Sequence, residues 1–484
     1  MKGIKMKIFK VFRRSQKLII TITAMFLLIS SAITDVSATE FNLVKDINSG
    51  YEDSNIKNLT GDNQLFFWAS DISSTPQQAW TLDRYHGVMK ISDINNDQYI
   101  HPGIKDAAVG THQFFYLERK SEYGIDGYEL WTGTLFGVQK LKKIPGRIIS
   151  SQTLSALGKY FFVPVGDPTY GTELWVSDGT VIGTHMVKDI SPGIADSYLH
   201  DLTEVDNELY FIVGQSLWKS DGTAEKTHLA KSFVCDSCSD LIVNIAAVVN
   251  NTLYIDWRQY DSGGAITKHE LWRYETTTNQ TFKVKSFDVY SFFSPDNYTG
   301  LGTTLYFLSN TNTNYGSYKY GLWKTDGTST GTVLLKEWDG YLDHGKLTPS
   351  DNLLYFHAGN DNDRELWATD GTSTGTYQVK DIDSLTGADS GSNFTCLTTL
   401  GDILFFTNDK SKYYEDKLWM SDGTEAGTFE TNFKVNSLRC PVVINGKLYF
   451  YGNDKTNNNY GGELYTYKPV SAGTLPPIIM YLLN

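Results

Sequence analysis

Beyond residue 40 the apolar positions come in short alternating runs. Aromatic or aliphatic triplets return along the chain: Leu65-Phe66-Phe67, Phe114-Phe115-Tyr116, Tyr160-Phe161-Phe162, Leu209-Tyr210-Phe211, Leu253-Tyr254-Ile255, Leu305-Tyr306-Phe307, Leu354-Tyr355-Phe356, Leu404-Phe405-Phe406 and Leu448-Tyr449-Phe450. Turn residues such as Asn445-Gly446 precede them. No helical periodicity follows residue 38, so the pattern predicts strands joined by tight turns.

A second phrase recurs in step with the first. Glu173-Leu174-Trp175 leads to Ser177-Asp178-Gly179-Thr180, and Ser216-Leu217-Trp218 to Ser220-Asp221-Gly222-Thr223. Three more copies centre on Trp323 with Asp326, Trp367 with Asp370, and Trp419 with Asp422. Weaker copies sit at Trp80, Trp131, Trp272 and Tyr465. The nine anchors are 51, 44, 43, 54, 51, 44, 52 and 46 residues apart. A period in this range signals a repeat architecture.

Each unit divides into four strand-like pieces, the third carrying the Trp. The fourth ends in phrases such as Val187-Lys188-Asp189-Ile190 and Val379-Lys380-Asp381-Ile382. This predicts an all-β chain, a β-propeller of four-stranded blades. The segment 41–47 reads as a fourth strand without a preceding three, and the last unit lacks its fourth. Pairing the two closes the ring and removes exposed edges. The count gives nine blades. Eight blades with one irregular unit is the alternative count, and a linear β-solenoid is a weaker alternative fold.

The phrase Leu-Trp-x-[Ser/Thr]-Asp-Gly-Thr, complete in five units, resembles the ELWxxDGT repeat proteins, bacterial secreted proteins with hyalin-like repeats. The likeness runs from residue 41 to about residue 468. It implies export and a repeat fold, and brings no catalytic residue with it. The turn also looks like the Asp-box of sialidase-type propellers, without that motif's spacing.

The ends divide the chain further. Seven Lys/Arg between Lys2 and Lys17 precede an apolar stretch at 18–33, and Val36-Ser37-Ala38 offers a cleavage point. Residues 1–38 therefore read as a signal peptide, 39–468 as the propeller and 469–484 as a short apolar tail. An uncleaved anchor is the alternative, although the stretch is shorter than the roughly 20 residues a span requires. The expected location is secreted or cell-surface, with the periplasm as a further choice, and no transmembrane span follows signal cleavage.

Charge narrows the partners. The whole chain carries a formal −13, and without 1–38 it carries 35 basic and 54 acidic residues, or −19. Such a surface disfavours nucleic acid and anionic membranes. An extracellular protein or polysaccharide is the expected partner, and the chain reads as a monomer.

The repeated residues read first as scaffold. Trp131, Trp175, Trp218, Trp272, Trp323, Trp367 and Trp419 fit a core role between sheets, with ligand stacking as the other reading. Asp178, Asp221, Asp326, Asp370 and Asp422 fit turn stapling through backbone N–H groups. Loops between second and third strands, such as 121–128, 258–269, 309–320 and 408–417, are rich in Tyr, Asn, Gly and Ser. Within them Tyr123, Tyr260, Tyr315, Tyr318, Tyr413 and Tyr414 form the candidate binding face.

No cofactor is required by any motif. Calcium is the one candidate ion, through Asp46, Asp53, Asp189, Asp196, Asp381 and Asp389, since oxygen ligands around Gly suit a hard cation. Acidic turns on a solvated rim are the plainer reading. Cys235 and Cys238 suggest a local disulfide rather than zinc. Cys396 and Cys440 each precede an aromatic run by eight residues, in equivalent places of adjacent blades; a bridge and two buried thiols are both open. Catalytic signatures are absent: His269-Glu270 lacks a second His at zincin spacing. The leading reading is a binding, adhesion or scaffold propeller. A carbohydrate-active glycosidase or lyase on the same fold is the alternative, because scattered carboxylates can meet in space.

Overall fold

The computed structural model describes residues 41–45, 47, 57–60, 65–69, 78–83, 87–92, 114–122, 125–134, 137–144, 155–235, 239–287, 298–311, 319–340, 346–360, 363–382, 394–408, 415–436, 440–454 and 462–467. The signal at 1–38 and the tail at 469–484 lie outside them.

Every regular element among the described residues is a β-strand. The strands pair antiparallel in sequence order and form nine units. Blades 1 to 9 span 57–92, 114–144, 155–188, 199–232, 240–287, 298–339, 348–380, 394–436 and 442–467. Blade 2 shows three strands among the described residues. Blade 9 has three of its own, and its fourth is Phe41–Lys45, paired antiparallel with Glu463–Tyr467 so that Phe41 faces Tyr467 and Lys45 faces Leu464. The fourth strand of blade 8, Phe429–Asn436, also runs on to pair with the second strand of blade 9, joining the two units into one eight-stranded sheet.

One irregularity repeats in all nine blades. Where the third strand meets the fourth, the register shifts, by one residue in eight blades and by two in blade 8, next to the Leu-Trp step in the blades that carry it. A bulge bends the strand and increases its twist. The strand from the N-terminus has it too, between Leu43 and Lys45. In seven blades the residue opposite the Leu is a lysine: Lys45, Lys142, Lys188, Lys231, Lys285, Lys336 and Lys380.

The core lies between sheets. Each cluster joins consecutive blades: Leu141 with Phe161, Val187 with Leu209, Ile212 with Leu253, Val284 with Phe307, Leu308 with Phe356, Tyr355 with Phe406, and Phe405 with Phe450. Another joins blade 9 back to blade 1, with Ile47, Tyr449 and Leu464 against Phe67 and Trp80. The fourth strands of blades 1 and 2 are in contact. In blade 3 the sequence phrase Tyr160-Phe161-Phe162 is one residue out of step, because Val163 stands opposite Trp175 where Phe211 stands opposite Trp218.

First strands are tied across blades as well. Cys396 and Cys440 form a disulfide between blades 8 and 9, with Cα atoms 4.6 Å apart. Cys396 has φ +56°, and Asp201, at the same repeat position in blade 4, has φ +55°. Asp201 Oδ2 accepts the Ile245 amide at 2.8 Å, and Ile245 occupies the Cys440 position of blade 5. The left-handed bulge residue thus turns its side chain toward the next blade, where either a carboxylate or a thiol makes the tie.

The bridge closes a loop of sequence separation 44, which in the chain-entropy description contributes about 4 kcal/mol. Replacing both Cys396 and Cys440 with Ser is expected to lower unfolding free energy by an amount of this order in denaturant titration. An unchanged midpoint would mean that the bridge does not constrain the unfolded chain.

Candidate functional site

Most of the repeated polar residues build the ring. In the turn at Asp178, Oδ1 accepts the Thr180 amide at 3.0 Å and the Thr180 hydroxyl at 2.7 Å. Thr180 Oγ1 accepts the Gly183 amide, and Thr184 Oγ1 donates to the Thr180 carbonyl and bonds Ser177 Oγ. The same net recurs at Asp326, Asp370 and Asp422. The hydrogen bond from the Thr hydroxyl holds Asp178, Asp326 and Asp370 below the usual carboxylate range. The working motif is therefore eight residues long and ends in Gly-Thr. A Cβ on Gly183 would lie 1.9 Å from Asp178 Oδ1. Blade 4 has Lys226 at this place; its amide bond to Thr223 Oγ1 stretches to 3.4 Å while its ammonium pairs with Asp221 at 2.9 Å.

Two further groups lock the fourth strand. Glu173 Oε2 accepts the Ile190 amide at 2.9 Å, and Oε1 takes Ser191 N and Ser197 Oγ. Glu365 accepts Ile382 N at 2.7 Å, and Glu463 accepts Ile47 N at 2.9 Å across 416 residues of sequence. The lysine opposite Leu reaches the following blade. Lys142, Lys285 and Lys336 lie 4.3, 5.0 and 4.8 Å over Trp175, Trp323 and Trp367, and Lys45 lies 5.2 Å over Trp80. Lys188 and Lys380 donate instead to the Thr227 and Thr428 carbonyls in the next blade's turn.

The tryptophans named from sequence sit at these seams. Trp175 and Trp419 are buried, while Trp131, Trp218, Trp272, Trp323 and Trp367 are partly buried. Of the candidate binding face only Tyr260 is described. It is half-buried at the end of the strand Thr252–Tyr260 rather than in a loop, because the second and third strands of blade 5 extend to Tyr260 and from Ile266. Tyr123, Tyr315, Tyr318, Tyr413 and Tyr414 lie outside the described residues, as do Asp46, Asp53, Asp389 and Cys238. Asp196 Oδ1 accepts the Thr172 amide and Asp189 Oδ2 the Gly193 amide, while Asp381 is exposed. No group of three or more His, Cys, Asp or Glu side chains is arranged to hold a metal among the described residues. Cys235 is disulfide-bonded.

Two places depart from the repeat. In blade 5, Asp256 stands where blades 4 and 6 carry Ile212 and Leu308. It is buried, bonds His269 Nε2 at 2.7 Å and takes the Arg258 guanidinium at 2.5 Å. Burial first, and then the Asp256 charge, push the buried Tyr298 hydroxyl well above its usual range. Asp256 and His269 are buried and Arg258 is nearly so, and the group reads as a polar tie between the second and third strands of blade 5.

The second departure opens a cleft of about 310 Å³ between blades 6 and 7, faced by Glu337, Trp338, Asp339, Glu365, Trp367 and Gln378. Its cause is legible in the repeat. Blade 6 has Gly321 where blades 3, 7 and 9 place the stapling Glu, and Trp338 where Ile190 and Ile382 stand. A Cβ on Gly321 would sit 2.3 Å from Leu334 Cδ1 and 3.0 Å from the Lys336 carbonyl, so a side chain there would have to displace Leu334. Trp338 stacks on Tyr320 at 5.6 Å and meets Trp367 edge-on at 5.2 Å. Tyr320 Oη donates to the Gly359 carbonyl at 2.8 Å and accepts its amide at 2.9 Å. Glu337 binds Thr311 Oγ1 and Lys319, which hold its carboxyl below the ordinary range. Sequence reading missed Glu337, Trp338 and Asp339. The available signal was faint, a Gly for Glu and a Trp for Ile at positions that other blades also vary, with Ser216 and Phe233 in blade 4.

No protein-family model matches the chain, and a comparison with the curated proteins finds no match. Among solved structures the chain is similar to BamB from Moraxella catarrhalis, at 12% identity and a TM-score of 0.42, over 79% of this chain and 98% of that one. It is similar to the β-propeller domain of the Trilobed protease from Pyrococcus furiosus, at 9% identity and 0.34, over 75% and 95%. It is also similar to dipeptidyl peptidase 4 from Porphyromonas gingivalis, at 10% and 0.43, over 86% and 60%. None of these likenesses bears on what the chain binds. No helix among the described residues is long and apolar enough to cross a membrane.

Burial raises the Glu173 carboxyl above the ordinary Glu value, against the hydrogen bonds from Ser197, Ile190 and Ser191 and with help from the Asp189 charge. The folded state therefore holds this proton longer than the unfolded chain. Its contribution to stability declines as pH rises from the unfolded pKa through the folded one. Glu173→Gln removes that decline. Its melting temperature relative to wild type is expected to climb as pH rises from the ordinary Glu value through the raised folded one. A difference that is flat or falls with pH would show that the carboxylate is not strained by burial.

Proposed function

We propose that this protein is an exported binding propeller that engages extracellular polymers, polysaccharide or protein, as an adhesion or scaffold element. The observation that carries the reading is the division of labour among its residues. Repeated Trp and Lys side chains hold blade to blade and repeated Asp and Glu hold turns and loops, whereas the cleft between blades 6 and 7 is faced by Glu337, Trp338 and Asp339, which belong to none of these sets. The export signal at 1–38, the Cys396–Cys440 bridge and the acidic surface fit an oxidising exterior.

Binding is favoured over glycoside cleavage by the state of Glu337. A general acid needs a raised pKa, whereas the Thr311 hydroxyl and Lys319 keep this carboxyl ionised. Its chemistry is that of a hydrogen-bond acceptor.

The test is a glycan and surface-polysaccharide binding screen on the chain without residues 1–38, with product analysis of every bound sugar. Retention with no change in the sugar is the expected result. Turnover of a bound sugar would replace the binding reading with the enzymatic one.

A further inference from the structure

We infer that the cleft between blades 6 and 7 is a binding site for an uncharged saccharide; this rests on the binding reading above and names its ligand class. Its volume of about 310 Å³ stands at the lower end of small-molecule sites, roughly 300–1,000 Å³. Its walls combine indole rings, from Trp338 and Trp367, with carboxylates and the amide of Gln378. Trp338 is stacked on Tyr320 and nearly covered, so the partly exposed Trp367 supplies the apolar wall that suits the C–H face of a sugar ring, and carboxylates and amides suit its hydroxyls.

A buried donor supplies the second observation. Trp338 is 8% exposed, lines the cleft, and its indole N–H has no hydrogen-bond partner among the described residues. A buried donor left unmade is costly; the nitrogen is covered in this arrangement, so a ligand oxygen satisfies it once the Trp338 ring turns toward the cleft. Trp338 is not a repeat tryptophan. It replaces the small aliphatic residue that blades 3 and 7 use to close the same corner, as Ile190 and Ile382.

Charge selects among ligands. Glu337, Asp339 and Glu365 repel carboxylate and sulfate groups, which disfavours acidic polysaccharides. Cation positions are already filled from the protein itself. Lys319 pairs with Glu337 at 3.0 Å and lies 3.5 Å from Asp339, and Lys336 sits over the Trp367 ring. Glu365 is engaged with the Ile382 amide. The exposed Asp339 carboxylate and Gln378 amide are what the cleft offers to hydroxyl groups.

The experiment titrates the chain lacking residues 1–38, by calorimetry and tryptophan fluorescence, with neutral gluco-, manno- and galacto-oligosaccharides, an oligouronate and spermidine. Three variants accompany wild type: Trp338→Phe, Glu337→Gln and Gln378→Ala. Gln378 is exposed, so that variant reports even if a core change at Trp338 impairs folding. Wild type is expected to bind a neutral oligosaccharide, with each variant weaker by about tenfold, the scale of one lost hydrogen bond. Neutral-sugar affinity unchanged in all three variants overturns the cleft assignment and leaves the binding reading in place. Preference for the oligouronate or spermidine also overturns it. If wild type binds no sugar here and retains no polymer in the wider screen, both fall together.

Discussion

The fourth strand of each blade has to be held against the blade that follows, and the rest of the ring depends on that contact. Side chains at its edge do this work. The lysine opposite the bulge spans the seam, either over the next indole or to the next turn's carbonyls. A long aliphatic stem can lie along apolar surface while the ammonium meets an aromatic face or a carbonyl. Each such contact is small, about 0.5–2 kcal/mol. Repeated between neighbours, they couple the blades so that stability becomes a property of adjacent pairs, as in other repeat proteins.

The termini use the same contacts. Lys45 reaches Trp80 and the Val88 carbonyl, and Glu463 takes the Ile47 amide as Glu173 and Glu365 take those of Ile190 and Ile382. The strand Phe41–Lys45 also carries the bulge found in the other blades. It is a repeat strand in every local respect, displaced only in the order of the chain. The disulfide between Cys396 and Cys440 reinforces the neighbouring seam between blades 8 and 9.

Strand number, the pairing of 41–47 with the region of Leu464, and the third-strand Trp were legible in the sequence because a repeat multiplies a weak signal nine times. The long reach of Glu463 to Ile47 was not, since a Glu before Leu-Trp looks like any surface acid until the fold brings its partner back. Lys142 and Lys285 hid for a similar reason: their partners are a full repeat away. The cleft was harder still. Its residues are marked by what they replace, Gly321 for Glu and Trp338 for Ile, and a search for recurring phrases passes over absences. Five of the six tyrosines chosen for a binding face lie outside the described residues, and Tyr260 belongs to a strand that extends farther than its composition suggested.

The most direct measurement of this account is amide hydrogen exchange along the strand Phe41–Lys45, compared with the fourth strands His185–Lys188 and Thr376–Lys380. If the N-terminal strand is held as the repeat holds its others, its amides are protected to the same degree. In Glu463→Ala that protection should fall along 41–47 and in Glu463–Tyr467, with blades 3 and 7 unaffected. Exchange along Phe41–Lys45 at the rate of a free chain in wild type, while the other two strands stay protected, would contradict it.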